Sequence, residues 1–102
     1  MSFLGVCVLM FASFYAVPQP IACKGYGAFD PKGWTAAHRT LPCGTILFVS
    51  HEELTIPVVI TDRGPYHRGK NRRYERSLDL SQGAWKALAL PDKPSIVCTR
   101  RY

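Results

Sequence analysis

Acidic side chains are scarce in this sequence. Seven Asp and Glu stand against 13 Lys and Arg in 102 residues, a formal net charge of +6. If catalysis needs a carboxylate, the choice narrows to Asp30, Glu52, Glu53, Asp62, Glu75, Asp79 and Asp92. Motifs for metal and thiol chemistry are missing as well. No Cys-x-x-Cys pair occurs, which disfavours a zinc ribbon or a thioredoxin-type site. No His-Glu-x-x-His or other zinc-ligand spacing appears, so no metal and no cofactor are expected. The length leaves no room for a dinucleotide domain beside a substrate domain. No internal repeat or low-complexity stretch is present, and no charge precedes Lys24.

What is there points to a small globular β protein. Hydrophobic residues make up 47% and charged residues 20%, the balance of a chain with a core. Eight Gly and eight Pro suit short strands joined by tight turns better than a helical bundle. The basic excess implies an acidic partner: nucleic acid, an anionic membrane or an anionic polysaccharide. The even set Cys7, Cys23, Cys43 and Cys98 fits disulfides in an oxidising compartment, with four buried reduced thiols as the alternative. Phe3 to Val17 is almost continuously apolar but too short to span a bilayer comfortably. Residues 1–11 read as a truncated secretory signal or apolar segment and 12–102 as one domain. Ala12-Ser13 would serve as a small-residue cleavage site, and Ile21-Ala22-Cys23 as a lipoprotein-like alternative with Pro20 out of place.

Along the chain, Ala12 to Tyr15 reads as a strand, with Phe14 and Tyr15 favouring a pleated surface. Residues 18 to 34 read as a Gly- and Pro-rich loop. Thr45 to Ser50 and Thr55 to Thr61 are strand candidates around a polar turn at His51-Glu52-Glu53, and Pro57 marks an edge or a bulge. Asp62 to Arg76 is a long polar loop. Ser81 to Leu90 is a short helix, capped by Ser81 and ended by Pro91, with Ala84, Trp85 and Leu88 on one face. Ser95 to Thr99 is a final strand. Mostly β with one late helix, the chain is best closed as a small barrel, which leaves no sheet edge exposed.

Several residues have a chemical and a structural reading. Asp62 ends an apolar strand and precedes Arg-Gly-Pro. At a barrel mouth, half out of water, it suits a general acid with a raised pKa; it equally suits a turn carboxylate that accepts local hydrogen bonds or pairs with Arg63. Asp79, between two leucines that point inwards, faces an open groove or else simply meets the helix dipole. His38 positions substrate or tunes a nearby Asp, or is a structural hydrogen-bonder. His51 and His67 read as solvated turn residues. Arg63, Arg68, Lys70, Arg72, Arg73 and Arg76, interleaved with Tyr66 and Tyr74, form either a grip for an anionic polymer or a solvated loop tip.

The ordered motifs Thr-Ala-Ala-His-Arg-Thr-Leu-Pro-Cys-Gly-Thr (35–45), Thr-Asp-Arg-Gly-Pro-Tyr (61–66) and Leu-Asp-Leu-Ser (78–81) resemble the double-psi β-barrel domain of rare lipoprotein A. Phe29-Asp30-Pro31, the strand at Ala12-Ser13-Phe14-Tyr15 and the Ala-rich helix add to the resemblance, which covers most of residues 12 to 99. It implies a mainly β fold, a six-stranded double-psi β-barrel with one or two short helices. It also implies a lytic transglycosylase that cleaves peptidoglycan between N-acetylmuramic acid and N-acetylglucosamine, leaving 1,6-anhydro ends. Related expansins and barwin-like endoglucanases share the barrel and act on polysaccharides. By resemblance Asp62 is the acid/base and His38 its positioner. The expansin comparison adds Asp79 as support and Thr35 and Tyr66 as groove residues, with Arg63 placed among the substrate-binding residues. It further implies a Cys23–Cys43 disulfide, which leaves Cys98 without a sure partner if Cys7 is removed. The link from Gly69 to Arg76 is about six residues longer than the family's usual one.

The leading expectation is therefore a secreted or periplasmic monomer acting on peptidoglycan glycan strands, with no nucleic acid partner and no stable membrane span. The alternatives are a non-catalytic, expansin-like wall binder, and a secreted protein that binds a protein or nucleic acid through its basic loop.

Overall fold

The computed structural model describes residues 7–16, 21–66 and 77–102. Six strands and one helix follow in the order β1 (Val8–Tyr15), β2 (Thr35–Ala37), β3 (Ile46–His51), β4 (Leu54–Asp62), β5 (Leu78–Ser81), α1 (Gln82–Ala87) and β6 (Ser95–Arg101). The strands close into a barrel in the order β1-β5-β2-β4-β3-β6. The β1/β5 and β2/β4 pairs are parallel and the other four antiparallel. The expected mainly β, six-stranded barrel is thus present, with one short helix.

Alternation explains the closure. Leu47 and Val49 of β3, Ile56, Val58 and Ile60 of β4, and Leu78 and Leu80 of β5 recur every second residue and all point inwards. Ala84 and Trp85 of α1, with Leu88 at its C-cap, join this core. Truncating a fully buried member such as Leu47 or Leu80 to Ala would cost about 2–5 kcal/mol. Pro57 lies where β4 is paired to β3 but not yet to β2, whose partners start at Val59, so its missing N–H removes no ladder bond on that side.

The helix is shorter than the sequence pattern implies. Ser81 caps it, its hydroxyl accepting from the Ala84 amide at 3.2 Å. It ends at Ala87, because Ala89 takes a left-handed φ of 52° and brings the Leu90 amide back to the Trp85 carbonyl. β2 and β5 have no counterpart among the strands read from the pattern. Three residues of β2 and four of β5 are too few to carry a periodicity. His51 is not a solvated turn residue: it ends β3, half-buried, with Nδ1 3.2 Å from the Leu88 carbonyl.

Two disulfides account for all four cysteines. Cys23 is bonded to Cys43, with Cα atoms 5.7 Å apart, and Cys7 to Cys98, with Cα atoms 5.5 Å apart. Cys98 therefore has a partner, and the reduced-thiol alternative is excluded. The Cys23 sulfur, being oxidised to a disulfide, is not a lipid-attachment thiol. Ala12 and Ser13, read as a cleavage site, lie inside β1, and Val8 to Phe11 of the apolar segment belong to the same barrel strand.

Candidate functional site

The barrel pairing brings the two candidate carboxylates to one face. Ser13 of β1 is the partner of Asp79 in β5, and Asp79 is the partner of Ala37 in β2. Ala37 is in turn the partner of Asp62 in β4. Between the Ala36–Ile60 and Ala37–Asp62 pairs, β4 carries one extra residue, Thr61, a bulge of the kind that re-aims the side chain after it. Without that bulge Asp62 would share the inward parity of Ile56, Val58 and Ile60. Ala37 is the one strand residue between the two acids along this row.

Asp62 is enclosed, with 5% of its surface exposed. Its Oδ1 accepts from two backbone amides, Ala22 and Arg63, each at 2.8 Å. The neighbouring Cys23 amide donates to the Thr61 carbonyl at 3.2 Å, so residues 22 and 23 run alongside the end of β4. Cys23 is then tied to Cys43. The sequence places Asp62 half out of water; the structure places it under this segment instead, because the disulfide holds the segment against the strand. Asp79 is more open, and its Oδ1 accepts from the Ser13 hydroxyl at 3.1 Å.

His38 follows β2 and donates its backbone amide to the Asp62 carbonyl at 3.2 Å. Its ring Nδ1 accepts from the Thr40 and Leu41 amides at 3.1 and 3.0 Å. An amide N–H can only donate, so Nδ1 carries no proton and the neutral ring holds its proton on Nε2. Burial, aided by the Arg39 and Arg63 cations, pushes the His38 pKa down. His38 thus meets Asp62 through its main chain, while its ring organises the 38–41 turn.

Arg63, named by sequence as a substrate-binding residue, turns its guanidinium onto the chain. Nη1 donates to the His38 and Leu41 carbonyls, and Nη2 lies 3.3 Å from Cys43 Sγ. Arg39 returns the favour, donating from Nη1 to the Pro65 carbonyl at 2.9 Å. The loops after β2 and β4 hold each other by this exchange. Thr35 sits two residues before Ala37, its amide donating to Ser81 Oγ at 3.2 Å and its hydroxyl buried with no partner among the described residues. Tyr66 is exposed at the end of the described loop. Arg68 to Arg76 and His67 lie outside the described residues.

Sequence reasoning used Tyr15 only as a strand former, yet it belongs to the same face, two residues on from Ser13. Its hydroxyl feels both Asp62 and Asp79. A tyrosine closing an alternating strand, opposite a Leu-Asp-Leu-Ser strand, was the available signal.

Comparison with known proteins agrees with this architecture. The family model described as lytic transglycolase, a double-psi β-barrel family, matches residues 10–98. The chain belongs to this family. Curated relatives of the lytic transglycolase barrel include proteins named "Probable endolytic peptidoglycan transglycosylase RlpA". The one from Nostoc sp. is 37% identical over 95 residues, 88% of this chain and 23% of the relative. The one from Treponema pallidum is 40% identical, covering 76% of this chain and 24% of the relative. The chain thus spans about a quarter of the length of these relatives. The solved structure of the Streptomyces papain inhibitor (SPI) superposes with a TM-score of 0.65 at 21% identity, covering 95% of this chain and 96% of that one. At that identity the likeness is one of fold. Among the described residues of this lytic transglycolase barrel, no group of three or more His, Cys, Asp and Glu is placed to hold a metal ion, and no helix is long and apolar enough to cross a membrane.

Proposed function

We propose that the chain is a cell-envelope enzyme that cleaves peptidoglycan glycan strands by lytic transglycosylation, with Asp62 as its acid/base. The reading is carried by the re-aimed Asp62 at the end of β4, beside Asp79, in a barrel of the lytic transglycolase family. The relatives' names supply the substrate class: peptidoglycan.

One carboxyl group suffices for this reaction. Protonated Asp62 gives its proton to the glycosidic oxygen as the bond to the anomeric carbon breaks. The resulting carboxylate takes the proton of the sugar's own 6-hydroxyl, whose oxygen closes onto that carbon. The proton is returned, no water is consumed, and the product carries a 1,6-anhydro end. Asp62 Oδ1 accepts the Ala22 and Arg63 amides, which fixes the plane of the carboxyl group. In this scheme His38 fixes the Asp62 backbone, Asp79 supports the site, and Thr35 and Tyr66 contact the strand.

The test is digestion of purified peptidoglycan followed by mass analysis of the sugar ends. Anhydro-muramyl products are expected, and Asp62→Asn should lower their release by about 10²–10⁴-fold, the usual contribution of a general acid. The enclosure of Asp62 favours one second reading, a binder of wall polysaccharide that makes no cut. Retention on peptidoglycan without any product from the unaltered chain would establish that reading in place of the first.

A further inference from the structure

We propose that Tyr15 is a positioning residue of this site, its hydroxyl supplying the neutral hydrogen-bond donor that the Asp62–Asp79 pair draws on once a glycan strand is bound. The inference rests on the transglycosylase reading and adds to it a residue with a defined task.

Three observations carry it. First, placement: Tyr15 ends β1, on the face that carries Ser13, and its register partner Ser81 is two residues from Asp79 in β5. Second, restraint: its ring stacks on Phe29, centroids 4.6 Å apart and planes 20° from parallel, so the hydroxyl does not swing freely. Third, an uncommitted proton: the oxygen is buried and has no hydrogen-bond partner among the described residues. Buried hydroxyls are almost always bonded, and the exceptions call for an explanation.

The charges around it say what the hydroxyl is for. Burial first, then the negative charges of Asp62 and Asp79, push its pKa above the ordinary phenol range, so the group stays a neutral donor throughout. When Asp62 gives up its proton, a second negative charge appears on the same face as Asp79. A cation between the two would hold Asp62 ionised and stop it from acting as an acid. A neutral O–H steadies the carboxylate formed during the reaction without abolishing the protonated form that starts it.

The decisive measurement is Tyr15→Phe in the full chain, with product release, its kcat and KM, and thermal unfolding followed together. Because the hydroxyl has no partner among the described residues, the melting temperature should stay the same or rise. KM should be unchanged, and kcat should fall about tenfold. An unchanged kcat in Tyr15→Phe would overturn the assignment while leaving the transglycosylase reading intact. So would a raised KM at unchanged kcat, which would make Tyr15 a substrate contact. So, too, would a lower melting temperature with kcat restored once equal folded fractions are compared. No product from the unaltered chain would remove the underlying reading and this inference with it.

Discussion

Asp62 and Asp79 share a single register partner: both flank Ala37, one from each neighbouring strand. Two interstrand steps of about 4.8 Å put their Cα atoms about 10 Å apart. That spacing sets up a choice between two chemistries, since inverting hydrolysis uses two carboxyl groups about 6.5–9.5 Å apart with a water between them. The expected outcome is the one-carboxylate route. Asp79→Asn should then reduce product release far less than Asp62→Asn does, and the ends should remain 1,6-anhydro. Reducing ends, together with equal losses in the two variants, would mean that Asp79 activates water.

His38 ties stability to pH. Its folded pKa lies below the ordinary 6.5, so below that pH the unfolded chain binds a proton that the folded chain does not. Stability should be fully present above about pH 6.5 and decline as the pH falls through the folded value. His38→Asn, which can keep an acceptor for the Thr40 and Leu41 amides, should flatten this part of the profile. His38→Ala should cost about 1–2 kcal/mol at neutral pH as well. Urea unfolding across the pH range measures both.

The Cys23–Cys43 bond closes a loop of sequence separation 20, and removing such a bond costs about 3 kcal/mol. The double variant Cys23→Ser/Cys43→Ser should melt lower. It should also lose product release at temperatures where it is still folded, because the Ala22 amide is no longer held on Asp62 Oδ1. Activity equal to that of the parent at full folding would show that the Ala22 contact does not matter for turnover.

Gly83 tests how α1 is seated. A Cβ there would collide with the backbone carbonyl of Lys32, and the Gly83 amide donates to the Pro31 carbonyl at 2.7 Å. Gly83→Ala should therefore destabilise by about 1–3 kcal/mol despite its better helix propensity, as thermal unfolding would report.

How far the sequence led differs from one segment to the next. β3, β4 and β6 were legible because Leu47, Val49, Ile56, Val58, Ile60 and Val97 alternate over six or more residues against polar turns. β2 was not, since Thr35-Ala36-Ala37 forms a strand only by being gripped between β4 and β5. The candidate carboxylates Asp62 and Asp79 were singled out because acids are few and because the resemblance pointed to them. Their surroundings were not, since the cover over Asp62 comes from Ala22, 40 residues away, and the bulge at Thr61 is a property of the pairing. Arg63 looked like a ligand for anions because nothing local shows that the carbonyls of His38 and Leu41 reach it first. Tyr15 escaped notice because an aromatic in a strand is ordinary until its buried hydroxyl is found with no partner among the described residues.

The reciprocal arginines have one more consequence. Arg39 reaches from the loop after β2 to Pro65, and Arg63 reaches from the loop after β4 to His38. Each loop is thus the splint of the other, and damage to either arginine is felt on both sides of Asp62. Under the proposed transglycosylase reading, variants that change sugar preference are expected elsewhere on the barrel rim, because two guanidinium contacts tie this wall together.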